Sequence, residues 1–143
     1  MMSMNFELLA FGDIGSIKVG MSRAEIRSTL GGGFEEFLKG PDSVVPTDAY
    51  DDFGVHVYYD EHYRVIGAEF LKWSDFSWRG QRLAGEDLQL VQRFFESECE
   101  VLTFNSSGFY VNGLGLRLYA PDIGEEDAIV ESVYVSFLRV EQA

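Results

Sequence analysis

Two six-residue runs constrain this chain most: Phe53-Gly54-Val55-His56-Val57-Tyr58 and Leu114-Gly115-Leu116-Arg117-Leu118-Tyr119. Their side chains alternate in character with period two, which sends one set to one face of a strand and the other set to the opposite face. Each run is followed by a second alternating stretch, Val65-Ile66-Gly67-Ala68-Glu69-Phe70 in the first case and Ser132-Val133-Tyr134-Val135-Ser136-Phe137 in the second. Strands with one dry and one wet face pair as antiparallel hairpins and need a second layer on the dry side. In the first hairpin, Tyr50 to Tyr59 and Tyr63 to Leu71 supply the strands and Asp60-Glu61-His62 the turn.

Two helices are available as that layer. Ser22 and Glu25 form an S-x-x-E capping box ahead of Ile26 and Leu30, with Gly31 as the stop, so a short helix spans Ser22 to Leu30. A second runs from about Glu86 to Ser97, its acids Glu86 and Asp87 at the positive end and Leu88, Val91, Phe94 and Phe95 forming the apolar stripe. Each helix precedes one hairpin, so the order recurs at a spacing of roughly 60–67 residues and outlines half-repeats 14–71 and 80–140.

Further strands are expected at Phe76 to Arg79, Glu100 to Phe104, Gly108 to Val111 and Leu114 to Tyr119, with Asn112-Gly113 as a hairpin turn, and at Ile129 to Val140. Ser16 to Val19 reads either as a short strand or as an ordered lead-in. Turn residues crowd Gly31 to Asp48, which reads as a long surface loop. At 143 residues the chain can bury roughly two thirds of its unfolded surface in one core. The expectation is a single α+β domain, 1–143, with a mainly antiparallel sheet of six to eight strands and two helices.

Charge narrows the class of partner. Eleven basic against 24 acidic side chains give a formal charge of −13, a field that repels nucleic acid and anionic lipid and attracts basic surfaces. No run approaches the ~18 apolar residues of a membrane span, and the first eleven residues lack a basic leader and carry Glu7. A single cysteine, Cys99, cannot form an internal disulfide, and its neighbours Glu98 and Glu100 disfavour a thiolate. Together these features point to the cytoplasm.

The inventory of catalytic groups is thin. His56 and His62 bracket one turn and lack the further nitrogen or sulfur ligands of a zinc site, and the glycine clusters lack the phosphate-binding patterns that would follow them. No enzyme activity and no cofactor is expected. Carboxylates and aromatics remain, and both suit a protein interface. The candidate partner-binding residues are Asp48, Asp51, Asp52, Asp60 and Glu61 around the first hairpin, Glu125, Glu126 and Asp127 before the last strand, and Tyr50, Tyr58, Trp73 and Trp78 as apolar anchors.

The run Gly20-Met21-Ser22-Arg23-Ala24-Glu25-Ile26 through Leu30-Gly31, with the repeated helix and hairpin order, resembles the tandem-repeat architecture of the β-lactamase-inhibitory-protein family. It also resembles the small acidic immunity proteins that bacteria make against their own polymorphic toxins. The disulfides of the inhibitory family are absent here, so neither its target nor its contact residues carry over. What the resemblance implies is a class of activity, the occlusion of a basic toxin or enzyme by a preformed acidic surface. The alternative is a small-ligand-binding or structural module without catalysis.

Overall fold

The computed structural model describes residues 4–138. In chain order the elements are β1 (Asn5–Leu8), α1 (Arg23–Leu30), β2 (Glu35–Phe37), β3 (Thr47–Tyr50), β4 (Val55–Tyr59), β5 (Val65–Leu71), β6 (Asp75–Trp78) and β7 (Gln81–Arg82). They continue with α2 (Leu88–Ser97), β8 (Thr103–Asn105), β9 (Gly108–Val111), a 3₁₀ turn at Asn112–Leu114, β10 (Leu116–Tyr119) and β11 (Ser132–Ser136). The class is α+β, dominated by an eight-stranded antiparallel sheet in the order β2-β3-β4-β5-β11-β10-β9-β8. A small three-stranded sheet, β1-β6-β7, contains the one parallel pairing among the described residues, β1 with β6.

The strand order reads the same outward from the β5–β11 pair in either direction. On one side lie β4, β3 and β2, and on the other β10, β9 and β8, with α1 preceding the first set in sequence and α2 the second. The long turn-rich segment after α1 is not one loop. It contains β2 and ends inside β3, because Glu35, Glu36 and Phe37 pair with Ala49, Asp48 and Thr47 at the sheet edge.

Register decides what each strand buries. Tyr50, Val55, Phe70, Val133, Leu118 and Phe109 lie opposite one another across six strands, and all six are buried. Ile26 and Leu30 of α1, Leu88, Val91 and Phe95 of α2, and Phe6, Phe76 and Trp78 of the small sheet join them in one core. Phe70 stacks on Phe76 at 4.2 Å and Trp78 on Phe95 at 5.1 Å, so helices and small sheet cover the same face.

The capping signals act as their chemistry requires. Ser22 accepts from the Glu25 backbone N–H while Glu25 accepts from that of Ser22. At α2 the helix starts later than the acids suggested: Asp87 is the cap, its carboxylate accepting from the Leu90 N–H, and Glu86 lies outside. Ser16 to Val19 is a lead-in, tied by a single bridge between Asp13 and Lys18. Glu100 to Phe104 is extended only from Thr103. Asn112-Gly113 forms the 3₁₀ turn instead of a two-residue hairpin loop, closed by Gly115 at φ +70°. The final strand stops at Ser136, and the last residues expected in it, Arg139 and Val140, lie outside the described residues.

Candidate functional site

Register places three connections at one end of the large sheet. Tyr50 faces Val55, Leu71 faces Ser132, and Tyr119 faces Ser132, so the turn at 51–54, the turn at 72–74 and the long segment 120–131 all leave from that end. Asp51, Asp52, Glu125, Glu126 and Asp127 sit on these connections and are exposed. Trp73 is 55% exposed, and its indole N–H donates to the Asp51 carbonyl at 2.8 Å. Gly54 makes this approach possible: at φ +70°, a side chain there would meet the indole nitrogen and the Ser74 backbone at 3.0 Å.

Four of the expected surface residues are not at the surface. Asp48 has no exposed area. It accepts from Arg27 Nε at 2.9 Å and Nη2 at 2.7 Å and from the Tyr59 hydroxyl at 2.9 Å, because β3 is flanked by two strands and its row faces α1. Tyr50, also fully buried, lies beneath Phe34 and Phe53. Trp78 is buried against Phe94 and Phe95, since β6 belongs to the core-facing small sheet. Tyr58 is largely buried under Lys39, whose ammonium lies 4.3 Å above its ring.

Asp60 and Glu61 occupy the opposite end of the sheet. Asp60 is the hinge of its turn, accepting from the backbone N–H groups of His62 and Arg64, and these bonds lower its pKa. Glu61 is exposed beside His62.

The second feature is a groove of about 500 Å³ on the sheet face turned away from the helices. Its floor lies on the outward row of the alternating strands, where Glu69, Tyr134 and Arg117 lie opposite one another across β5, β11 and β10. Its wall is the segment carrying Lys39, Ser43 and Val45. Glu69 is held on both oxygens, Oε1 by the Tyr58 hydroxyl and Oε2 by the Ser132 hydroxyl, each at 3.1 Å. Tyr134 lies across Gly67, where a Cβ would come within 2.1 Å of the phenolic oxygen. The guanidinium of Arg117 sits over Tyr110 at 5.1 Å and Tyr134 at 5.8 Å. Donors and cations set among aromatic rings are equipment for binding.

Burial governs the tyrosines. It pushes the Tyr50 phenol up to about 12, with the Asp48 charge adding to it, and it raises Tyr58, Tyr59 and Tyr134 as well. Each phenol therefore holds its proton more tightly folded than unfolded, so the stability is full below pH ~10 and falls as pH rises further. At pH 11 the native chain should show fewer ionised phenols by ultraviolet absorbance than the urea-unfolded chain. Its urea midpoint should fall between pH 9 and pH 11, and a constant midpoint would place these hydroxyls in water.

Lys39, Glu69, Arg117, Ser132 and Tyr134 were not singled out from sequence. The available signal was the polar half of the alternation, in which Glu69, Arg117 and Tyr134 each occupy an outward position, but only the register across β5, β11 and β10 makes them neighbours. Among the described residues no group of three or more His, Cys, Asp or Glu side chains is arranged to hold a metal ion, and no helix is long and apolar enough to cross a membrane. No protein-family model, curated protein or solved structure matches the chain.

Proposed function

We propose that this chain is a non-catalytic inhibitor of the immunity type, which binds and occludes a basic toxin or enzyme in the cytoplasm through the acid-rich end of its sheet. The observation that carries this reading is Trp73, an exposed aromatic fixed by its bond to Asp51 at the end that also presents Asp52, Glu125, Glu126 and Asp127. A large side chain already ordered before contact loses little entropy on binding, and such residues dominate interface energetics. The acids around it steer a basic partner into place. The matching order of helix and strands in the two halves fits descent from a duplicated unit, 14–71 and 80–140.

The test begins by passing lysate of the native cell over immobilised chain at low salt, in parallel with Trp73→Ala. The reading expects one basic protein to be held by the first and lost from the second. In stopped-flow mixing, changing Asp51, Asp52, Glu125, Glu126 and Asp127 to their amides should slow association and flatten its salt dependence. Asp48 is left untouched because it holds the core. Trp73→Ala should weaken the complex by roughly thirtyfold, mainly through faster dissociation. A partner bound equally well by both variants would remove the acidic end from the interface. A retained acidic protein would overturn the charge argument.

A further inference from the structure

Half of the ten basic side chains among the described residues are paired with acids. Arg23, Arg27, Arg64, Lys72 and Arg79 each lie within 4.0 Å of a carboxylate. Of the five without a carboxylate partner among the described residues, Lys39 and Arg117 are the two that line the groove; both are exposed, and they lie over the Tyr58 and Tyr134 rings of that groove. The Tyr134 hydroxyl lies over Gly67 on the groove floor and has no hydrogen-bond partner among the described residues. Val45, Ile66, Tyr58 and Tyr119 supply apolar and aromatic surface in the same space.

We infer that this groove is a binding site for a small organic anion, a carboxylate on a flat apolar body. The carboxylate pairs with Arg117 and Lys39 and accepts from the Tyr134 hydroxyl, while the body lies against Tyr58, Tyr119 and Val45. Planar guanidinium and carboxylate match in a fork that a lysine alone does not offer. The volume of about 500 Å³ is ample for one ring with a short acidic arm. Among the described residues Glu69 is the one carboxylate lining the groove. Its oxygens are turned to the Tyr58 and Ser132 hydroxyls, which occupy them. The inference rests on the groove alone and does not require the protein partner proposed above.

The experiment is a titration of the ¹⁵N-labelled full chain with 4-hydroxyphenylacetate, followed by amide and Arg117 side-chain resonances. Saturable shifts are expected at Gly67, Arg117, Ser132 and Tyr134, with binding weakened by salt. The uncharged isostere 4-hydroxyphenylacetamide should bind about tenfold or more weaker, and so should 4-hydroxyphenylacetate on Arg117→Gln and Lys39→Gln, since a bond to a charged group is lost in each. Both substitutions fall at exposed positions, so their folds should persist. Gly67→Ala, whose Cβ would force the Tyr134 ring aside, should weaken binding. The acetylated, amidated peptide Ala-Tyr-Glu-Ala separates the sources of the carboxylate: tighter binding than the free acid assigns it to a peptide segment, weaker binding to a free metabolite, and either rank agrees with an anion site. Equal response to the acid and its amide, shifts scattered away from the groove, or undiminished affinity in Arg117→Gln would overturn it.

Discussion

Arg27→Ala should destabilise the chain by about 3–5 kcal/mol, more than any other single change at a charged residue. The guanidinium reaches from α1 to β3 and donates two bonds to Asp48, which is fully buried. It also pairs with Glu36 on β2 and lies 4.2 Å over the Phe34 ring. Removing it leaves a carboxylate in the core with, among the described residues, only the Tyr59 hydroxyl to support its charge. The reverse change is milder. Asp48→Asn keeps an oxygen for Tyr59 and Arg27 and leaves Arg27 its pair with Glu36, so roughly 1–2 kcal/mol is expected. Urea denaturation of both variants at neutral pH measures the difference, and equal losses would mean that the energy lies in packing and not in the stranded charge.

The second large effect is at Phe95. Its ring is fully buried, stacked on Trp78 at 5.1 Å and edge-on to Phe109 at 6.0 Å, so it joins α2 to both sheets. Phe95→Ala should cost about 3–5 kcal/mol through lost transfer energy and the cavity left behind. Sequence periodicity put Phe94 on the same stripe. The structure leaves Phe94 half-buried at the rim, touching Trp78 edge-on at 5.7 Å, and Phe94→Ala should cost only roughly 1–2 kcal/mol. Guanidinium unfolding of the pair decides: a larger loss at Phe94 would mean that α2 is rotated from the orientation described.

Elements whose signals are local were legible in the sequence. The capping box at Ser22 and Glu25, the β4–β5 hairpin and the inward row Val133, Val135 and Phe137 depend on spacing within a few residues. What depends on distant neighbours was not legible. Asp48 looks like the other loop acids until β2 is seen to pair outside β3 and Arg27 to descend from α1. The same holds for Trp78, whose strand pairs in parallel with β1. Of the expected interface, Asp51, Asp52, Trp73, Glu61, Glu125, Glu126 and Asp127 are exposed, because polar turns between strands stay at the surface whatever the partner strand is. The groove escaped for the opposite reason: Glu69, Arg117, Ser132 and Tyr134 are ordinary outward strand residues individually, and only the β5–β11 pairing collects them.

That central pairing also sets the order in which the chain can assemble. The ladders β2 to β5 and β8 to β10 join strands that are close in sequence and can zip from their turns, whereas β5 meets β11 only after the small sheet, α2 and three strands have been bridged. Closing that long interval costs chain entropy before any seam contact is gained. The seam is therefore expected to pair late, and until it forms both inner strands present unpaired edges. A newly made chain is most open to joining β5 of one molecule with β11 of another at this stage, an exchange that would build a domain-swapped dimer from the same contacts as the monomer.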